Sequence, residues 1–143
     1  MIRRVIVMAL AGLLLSACGS TSATSALRQW SSQSDFASAL STVRGDARRA
    51  VGELRVSSSP AVLHTVCAVL AFDVEQAQAS LPTPDSQTTG LLSRAYLGFL
   101  AGANECYQAS PASRTRAIAS LNQAGATLAE AAARLRASTS SSN

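Results

Sequence analysis

The side chains with the greatest chemical potential in this chain are one histidine and two cysteines, His64, Cys67 and Cys106. His64 lies three residues before Cys67, so a helix would present both on one face. Glu105 and Tyr107 flank the second cysteine. An imidazole, two thiolates and a carboxylate are ligands that zinc or haem iron accepts. One hypothesis for this cluster is therefore a metal or haem site.

The alternative for the two cysteines is a disulfide bond, and we predict it. Cys67 and Cys106 both fall among the apolar side chains of their segments. In an antiparallel helix pair that turns near residue 84, Cys106 lies about 7 Å along the axis beyond the level of Cys67. A bridge needs Cα atoms about 4.4–6.8 Å apart, so helix tilt or a longer turn must absorb the offset. A bridge leaves no thiol for a metal or a nucleophile, and we therefore predict no metal and no cofactor.

The chain carries none of the common catalytic signatures. GxSxG, HExxH, paired CxxC and a glycine-rich phosphate loop are all absent from the sequence. The acidic residues are scattered among polar positions, and no two form an evident acid/base pair. Asp73, between Phe72 and Val74, is interpreted as a boundary carboxylate. We therefore predict no catalytic residues and no enzymatic activity.

A small-ligand-binding module is the second functional hypothesis. Small residues along the predicted helix seams could leave a cavity in the core. A small apolar molecule, a metal ion or a haem would then lie near His64, Tyr96, Phe99 and Tyr107. A mass retained by the purified protein would favour this hypothesis over a pure interaction module.

Arginine supplies every positive side chain of the chain, whose formal charge is +4. Arg44, Arg48 and Arg55 follow helical spacing and mark one side of the first predicted helix. A solvated face is the structural interpretation, with Arg49 and Glu53 paired one turn apart. Contact with anionic lipid headgroups is the functional alternative. So small a net charge gives little electrostatic reason to expect nucleic acid, and we predict no nucleic-acid partner.

Four amphipathic segments position these residues. In each, apolar side chains recur at spacings of four and three, the period of a helix that buries one face. Ser34 and Ser59 are expected N-caps, and Pro60 suits a first helical position. The segment that follows Pro60 has the widest apolar stripe and is expected to be the most buried helix.

Short turns between these segments favour an all-α fold, a four-helix up-down-up-down antiparallel bundle over residues 34–137. Gly98 and Gly102 form a small-xxx-small pair, for which we expect tight packing inside the bundle. Gly125 is likewise expected at a close helix approach. Residues 138–143 are rich in serine and are expected to form a disordered tail.

The first twenty residues are typical of a bacterial export signal. Two arginines follow the first residues, and an apolar run extends from Val5 to Leu15. That run is about 16 Å long as a helix, too short for a ~30 Å hydrocarbon core, and it indicates a secretory signal. Leu15-Ser16-Ala17-Cys18 resembles the lipobox of bacterial lipoproteins. The resemblance implies a diacylglyceryl group on the Cys18 thiol, cleavage before Cys18 and fatty acylation, such as palmitate, of the new amine.

This resemblance sets the expected organisation and location. Residues 1–17 would be a cleaved signal peptide, and residues 18–33, rich in serine and threonine, a flexible tether. The domain would be held at the cell membrane by lipid and face the extracytoplasmic side, where disulfides persist. Its expected role is that of a non-enzymatic interaction or accessory module. Its expected partners are the membrane, through the anchor, and another envelope protein or a cell-wall component.

Overall fold

A computed structural model describes residues 22–140, and all regular structure in that range is helical. The five helices are α1 (Ala23–Gln33), α2 (Phe36–Arg55), α3 (Pro60–Gln78), α4 (Ser86–Gln108) and α5 (Pro111–Ser140). The predicted all-α class is confirmed, but this range holds five helices where the sequence predicted four. The predicted signal peptide and Cys18 lie outside the described residues.

Helix α1 lies where the sequence predicted a flexible tether. Ser22 caps the helix, because its Oγ accepts a hydrogen bond from the Ser25 amide at 3.2 Å. Leu27 is only 3% exposed and belongs to the core. The periodic pattern missed this helix because it has just two large apolar side chains, Leu27 and Trp30, among serines and other polar residues. Burial against other helices stabilises the segment, which has little apolar periodicity of its own.

Trp30 fixes α1 across the end of the domain where α2 begins and α3 ends. Its indole Nε1 donates to the Ser80 carbonyl at 2.9 Å, and its ring lies 5.4 Å from that of Phe36. The expected N-cap at Ser34 is wrong, since Ser34 ends α1. The chain then turns into α2 through Asp35, whose φ of 46° is left-handed.

A polar side chain caps the N-terminus of α3 and of α4 by accepting a hydrogen bond from a backbone amide of the first turn. Ser59 accepts from the Val62 amide, and a proline follows it, as predicted. Asp85 caps α4 by accepting from the Thr88 amide at 3.0 Å. The same carboxylate accepts from Arg134 of α5 at 2.8 Å. These hydrogen bonds, that of Arg134 foremost and then those of Thr88, hold the pKa of Asp85 well below its usual value.

Helices α4 and α5 approach each other closely at two glycines of α4. A Cβ placed on Gly102 would lie 2.7 Å from Cδ2 of Leu121, and one on Gly98 would lie 3.0 Å from Cβ of Ala124. Tight packing at Gly98 and Gly102 is therefore confirmed. The expectation for Gly125 is wrong, because no atom lies within 4 Å of the position its Cβ would take.

Helix α3 is not the most buried helix. It contacts α2 and α4 and no other helix of the described range, so its outer face has no neighbour. Val62, Val69 and Phe72 lie on that face and are 42%, 43% and 60% exposed. The wide apolar stripe of α3 therefore covers an inward face and part of an outward one.

The C-terminal helix extends further than the sequence suggested. Residues 138–140, predicted to belong to a disordered tail, continue α5. Arg28 of α1 donates from Nε to the carbonyl of Thr139 at 3.1 Å, so contact with α1 helps to hold this last turn. None of the described helices is long and apolar enough to cross a bilayer.

Candidate functional site

Cys67 and Cys106 meet between α3 and α4. Their Cα atoms are 6.0 Å apart, and the structure joins them in a disulfide that spans 39 residues of chain. Both side chains are buried, at 1% and 0% exposure. Seven residues separate the end of α3 from the start of α4. That connection is long enough to absorb the axial offset expected from helix spacing.

His64 lies beside this pair at the surface. Its ring stacks on that of Tyr107, with centroids 4.1 Å apart and planes inclined by 14°. Glu105 points elsewhere and accepts from Arg116 of α5 at 3.0 Å. Between Ser22 and Ser140 there is no group of three or more histidine, cysteine or acidic side chains that could hold a metal ion. The arrangement is a surface ring pair over a disulfide.

The four residues considered for a core ligand do not form one site. Tyr96 and Phe99 are 2% and 0% exposed and belong to the packed core, whereas His64 and Tyr107 lie outside it. Burial raises the pKa of Tyr96 to about 12, as expected for a phenol removed from water. The expected cavity among these side chains is thus replaced by close packing on one side and open solvent on the other.

A different concavity lies between α2 and α5. It is a groove of about 670 Å³, which we call the α2–α5 groove. Helix α2 contributes one wall, with Arg44, Arg48 and Arg55 along it. The rest of its lining is apolar, glycine or amide: Ala47, Val51, Gly52, Phe99, Leu121, Asn122, Gly125 and Ala129. Its size lies within the roughly 300–1,000 Å³ range of small-molecule sites.

Two glycines contribute to the groove, because no neighbouring side chain fills the space beside them. Neither Gly52 of α2 nor Gly125 of α5 has an atom within 4 Å of the position of a Cβ. Side chains at these positions would project into the space between the helices. Val51, which is half-buried, and Ala129, which is exposed, form its accessible apolar floor, while Phe99 and Leu121 border it from within the core and are 0% and 2% exposed.

The arginines of the groove have no counterion in the part of the chain that the structure describes. The two ion pairs there join Arg116 to Glu105 and Arg134 to Asp85. No acidic side chain lines the groove. Unpaired guanidinium groups along one wall give the groove a positive potential that favours anionic ligands.

The expected pairing of Arg49 with Glu53 is not formed. Glu53 accepts instead from the Ser58 hydroxyl. The charge of Arg49 acts to lower the pKa of Asp46. The solvated-face interpretation of this helix therefore lacks the ion pair on which it depended.

Two carboxyl groups on α2 and α3, those of Asp46 and Asp73, influence each other, an arrangement that sequence reasoning missed. Partial burial, followed by the hydrogen bond to and the charge of Asp73, raises the pKa of Asp46, and Arg49 opposes that shift. This interaction between two like charges does not test the expectation that no acid/base pair is present, which stays a prediction. The interaction depends on the register between two helices, which the spacing within either helix does not reveal.

No family model, no curated protein and no solved structure matches this chain.

Proposed function

We propose that this protein is a lipid-anchored module of the bacterial envelope that acts by binding an anionic ligand in the α2–α5 groove. The observation that carries the proposal is the wall of Arg44, Arg48 and Arg55, three guanidinium groups with no counterion among residues 22–140. A guanidinium group presents a planar fork of donors that matches phosphate and carboxylate oxygens. Such donors in a concave site are typical of anion recognition.

Binding, and not catalysis, is favoured by the chemistry around the groove. Its lining contains arginine, asparagine, glycine and apolar residues, and none of these is an ordinary general base or nucleophile near neutral pH. The two buried cysteines are joined to each other. The metal or haem alternative loses its ligands for the same reason, because both thiolates are consumed and Glu105 pairs with Arg116.

The anchor is proposed on the lipobox resemblance at Cys18. Because α1 begins at Ala23, four residues lie between Cys18 and the first helix, which makes five steps from one Cα atom to the next. Such a link spans at most about 18 Å. It contains fewer residues than the tether of residues 18–33 that the sequence predicted. Under this proposal the domain stays next to the membrane surface. Replacing Cys18→Ser should give protein that leaves the detergent phase on phase separation; mature Cys18→Ser protein in that phase would contradict the anchor.

The groove proposal is tested by what the mature protein carries when it is isolated from the envelope. Native mass spectrometry should find a retained non-covalent mass, and Gly125→Leu should eliminate it by filling the groove. The matched control is Gly45→Leu, a helical position that is equally open but outside the groove lining. A mass that persists in Gly125→Leu, or a wild-type protein without any, would contradict the assignment of the groove.

A second candidate function is contact with another envelope protein through α3. It is favoured by the exposed Val62, Val69 and Phe72 on one helix face, because apolar groups clustered on a surface mark interaction sites. A photo-crosslinking residue in place of Phe72 should give one discrete adduct in intact cells, and Val69→Glu should abolish it. The same crosslinker at Gly45 is the control. Equal adducts from both positions would remove the support for a specific partner.

A further inference from the structure

We infer that the ligand of the α2–α5 groove is an amphiphile, with a phosphate-bearing head between Arg44 and Arg48 and an apolar part along Gly52 and Gly125. The inference rests on the proposed anion-binding function and adds the chemical class of the ligand. It follows from the division of the groove into a charged wall and an apolar floor.

The charged wall is built to hold one anionic group between two arginines. Arg44 and Arg48 are one helical turn apart, about 6 Å along the axis of α2, so both guanidinium groups can reach the same phosphate. Arg44 is half-buried and Arg48 is exposed. Arg55 lies about 10 Å further along the same wall. This pair therefore defines the head of the ligand, and Arg55 defines the far end of the groove.

The apolar floor would remain unused by an inorganic anion. Val51 and Ala129 are the apolar lining residues that remain accessible. Gly52 and Gly125 keep the channel above them open, because the space a Cβ would take is empty at both. Each methylene buried there would strengthen binding about fourfold. An alkyl or acyl chain attached to the phosphate uses both halves of the site.

Two sources can supply this chemistry, a membrane phospholipid or a soluble phosphorylated amphiphile. A groove of about 670 Å³ accommodates a single small molecule and is far smaller than a bilayer surface. In either case the protein binds one molecule by its head and chain. The two sources differ only in whether the molecule must leave a membrane.

The test uses the mature chain from residue 18 with Cys18→Ser, so that its outcome does not depend on the anchor. Every buried core residue of the described range lies between Leu27 and Leu135, and this chain contains them all. Calorimetric titrations are made with three soluble probes: dihexanoyl phosphatidylglycerol below its micellar concentration, the corresponding phosphatidylcholine, and inorganic phosphate. We expect the phosphatidylglycerol to bind with one site and at least tenfold more tightly than the other two probes.

Variants locate the site. Arg44→Gln with Arg48→Gln should weaken phosphatidylglycerol binding about 25-fold, at about fivefold for each arginine. Gly125→Leu should abolish binding without lowering the melting temperature, since leucine is a better helix former than glycine and the position is open. Arg94→Gln on α4 and Gly45→Leu are the matched controls and should leave binding unchanged.

The outcomes distinguish failure of the amphiphile inference from failure of the proposed anion-binding function. Inorganic phosphate that binds as tightly as phosphatidylglycerol would overturn the amphiphile and leave an anion-binding groove. Failure of all probes would overturn both. Binding to phosphatidylglycerol vesicles alone, unaffected by Gly125→Leu, would also overturn the groove, since it would reflect surface charge.

Vesicles containing labelled phosphatidylglycerol then distinguish the source. Transfer of label to the wild-type chain, but not to Gly125→Leu, supports the inference with a membrane lipid as ligand. Binding of the soluble probe without transfer from vesicles supports it with a soluble phosphorylated amphiphile.

Discussion

Substituting Gly102→Ala tests the packing of α4 on α5 most directly, because it opposes two effects of known sign. Alanine stabilises a helix interior by about 1 kcal/mol relative to glycine. At Gly102, however, the new Cβ would lie 2.7 Å from Cδ2 and 2.8 Å from Cγ of Leu121, and 3.3 Å from its backbone nitrogen. Leu121 is only 2% exposed, so its side chain has little space into which to move.

The expected net effect is destabilisation. Overpacking a well-filled core costs about 1–3 kcal/mol. Two contacts under 3 Å put Gly102→Ala in the upper part of that range, at about 2–3 kcal/mol, and the gain in helix propensity offsets about 1 kcal/mol of it. We expect Gly102→Ala to lower the free energy of unfolding by about 1–2 kcal/mol. That corresponds to a melting temperature lower by about 4–8 °C for a domain of this size. Thermal and urea unfolding, followed by circular dichroism at the helix band, measure both quantities.

Gly45→Ala is the matched control, because no atom lies within 4 Å of its Cβ position. The helix-propensity gain then acts alone, and the variant should be more stable by about 1 kcal/mol. The two alanine variants should therefore differ by about 2–3 kcal/mol in opposite directions from wild type. If Gly102→Ala were as stabilising as Gly45→Ala, α4 and α5 would not approach as closely as the structure shows.

Three further predictions concern the disulfide and two carboxylates. Reducing Cys67–Cys106, which closes 39 residues, should cost about 4 kcal/mol and lower the melting temperature by about 15 °C; two titratable thiols in envelope-derived protein would contradict the bridge. Asp46 has a raised pKa, so stability should fall as pH rises from about 4 through that pKa, and Asp73→Asn should raise stability at pH 7. Asp85 has a lowered pKa, so its contribution is present above about pH 4 and lost as pH falls; Asp85→Asn should flatten that acid limb in unfolding measured from pH 2 to 7.

The helical spacing of apolar residues predicted the four longer helices well, because in each helix they form a continuous stripe. Pro60 begins α3, at the position where a cap and a proline predicted it. Helix α1 was missed since it is short and has only Leu27 and Trp30 to define its inner face. Its stability comes from contacts with α2, α5 and Ser80, and such contacts are absent from any local pattern.

The candidate site was predictable only in part, because spacing within one helix does not fix the distance to another. Arg44, Arg48 and Arg55 could be placed on one face of α2 from their spacing. Gly102 of α4 and Gly125 of α5 illustrate the limit. Both were expected at close helix approaches, yet a Cβ on Gly102 would lie within 3 Å of Leu121, whereas Gly125 faces open space. Interhelix distance decides between these environments, and the sequence of a single helix does not contain it.

The residues that line the α2–α5 groove prevent these two helices from packing closely against each other. A helix pair approaches closely when both faces are small and apolar, as α4 and α5 do. Here the wall from α2 carries three charged guanidinium groups, those of Arg44, Arg48 and Arg55, which resist burial without counterions. Open glycines alone do not mark a site, since Gly45 is equally open outside the groove. The proposed site rests on the combination of open glycines with three arginines that have no counterion among residues 22–140.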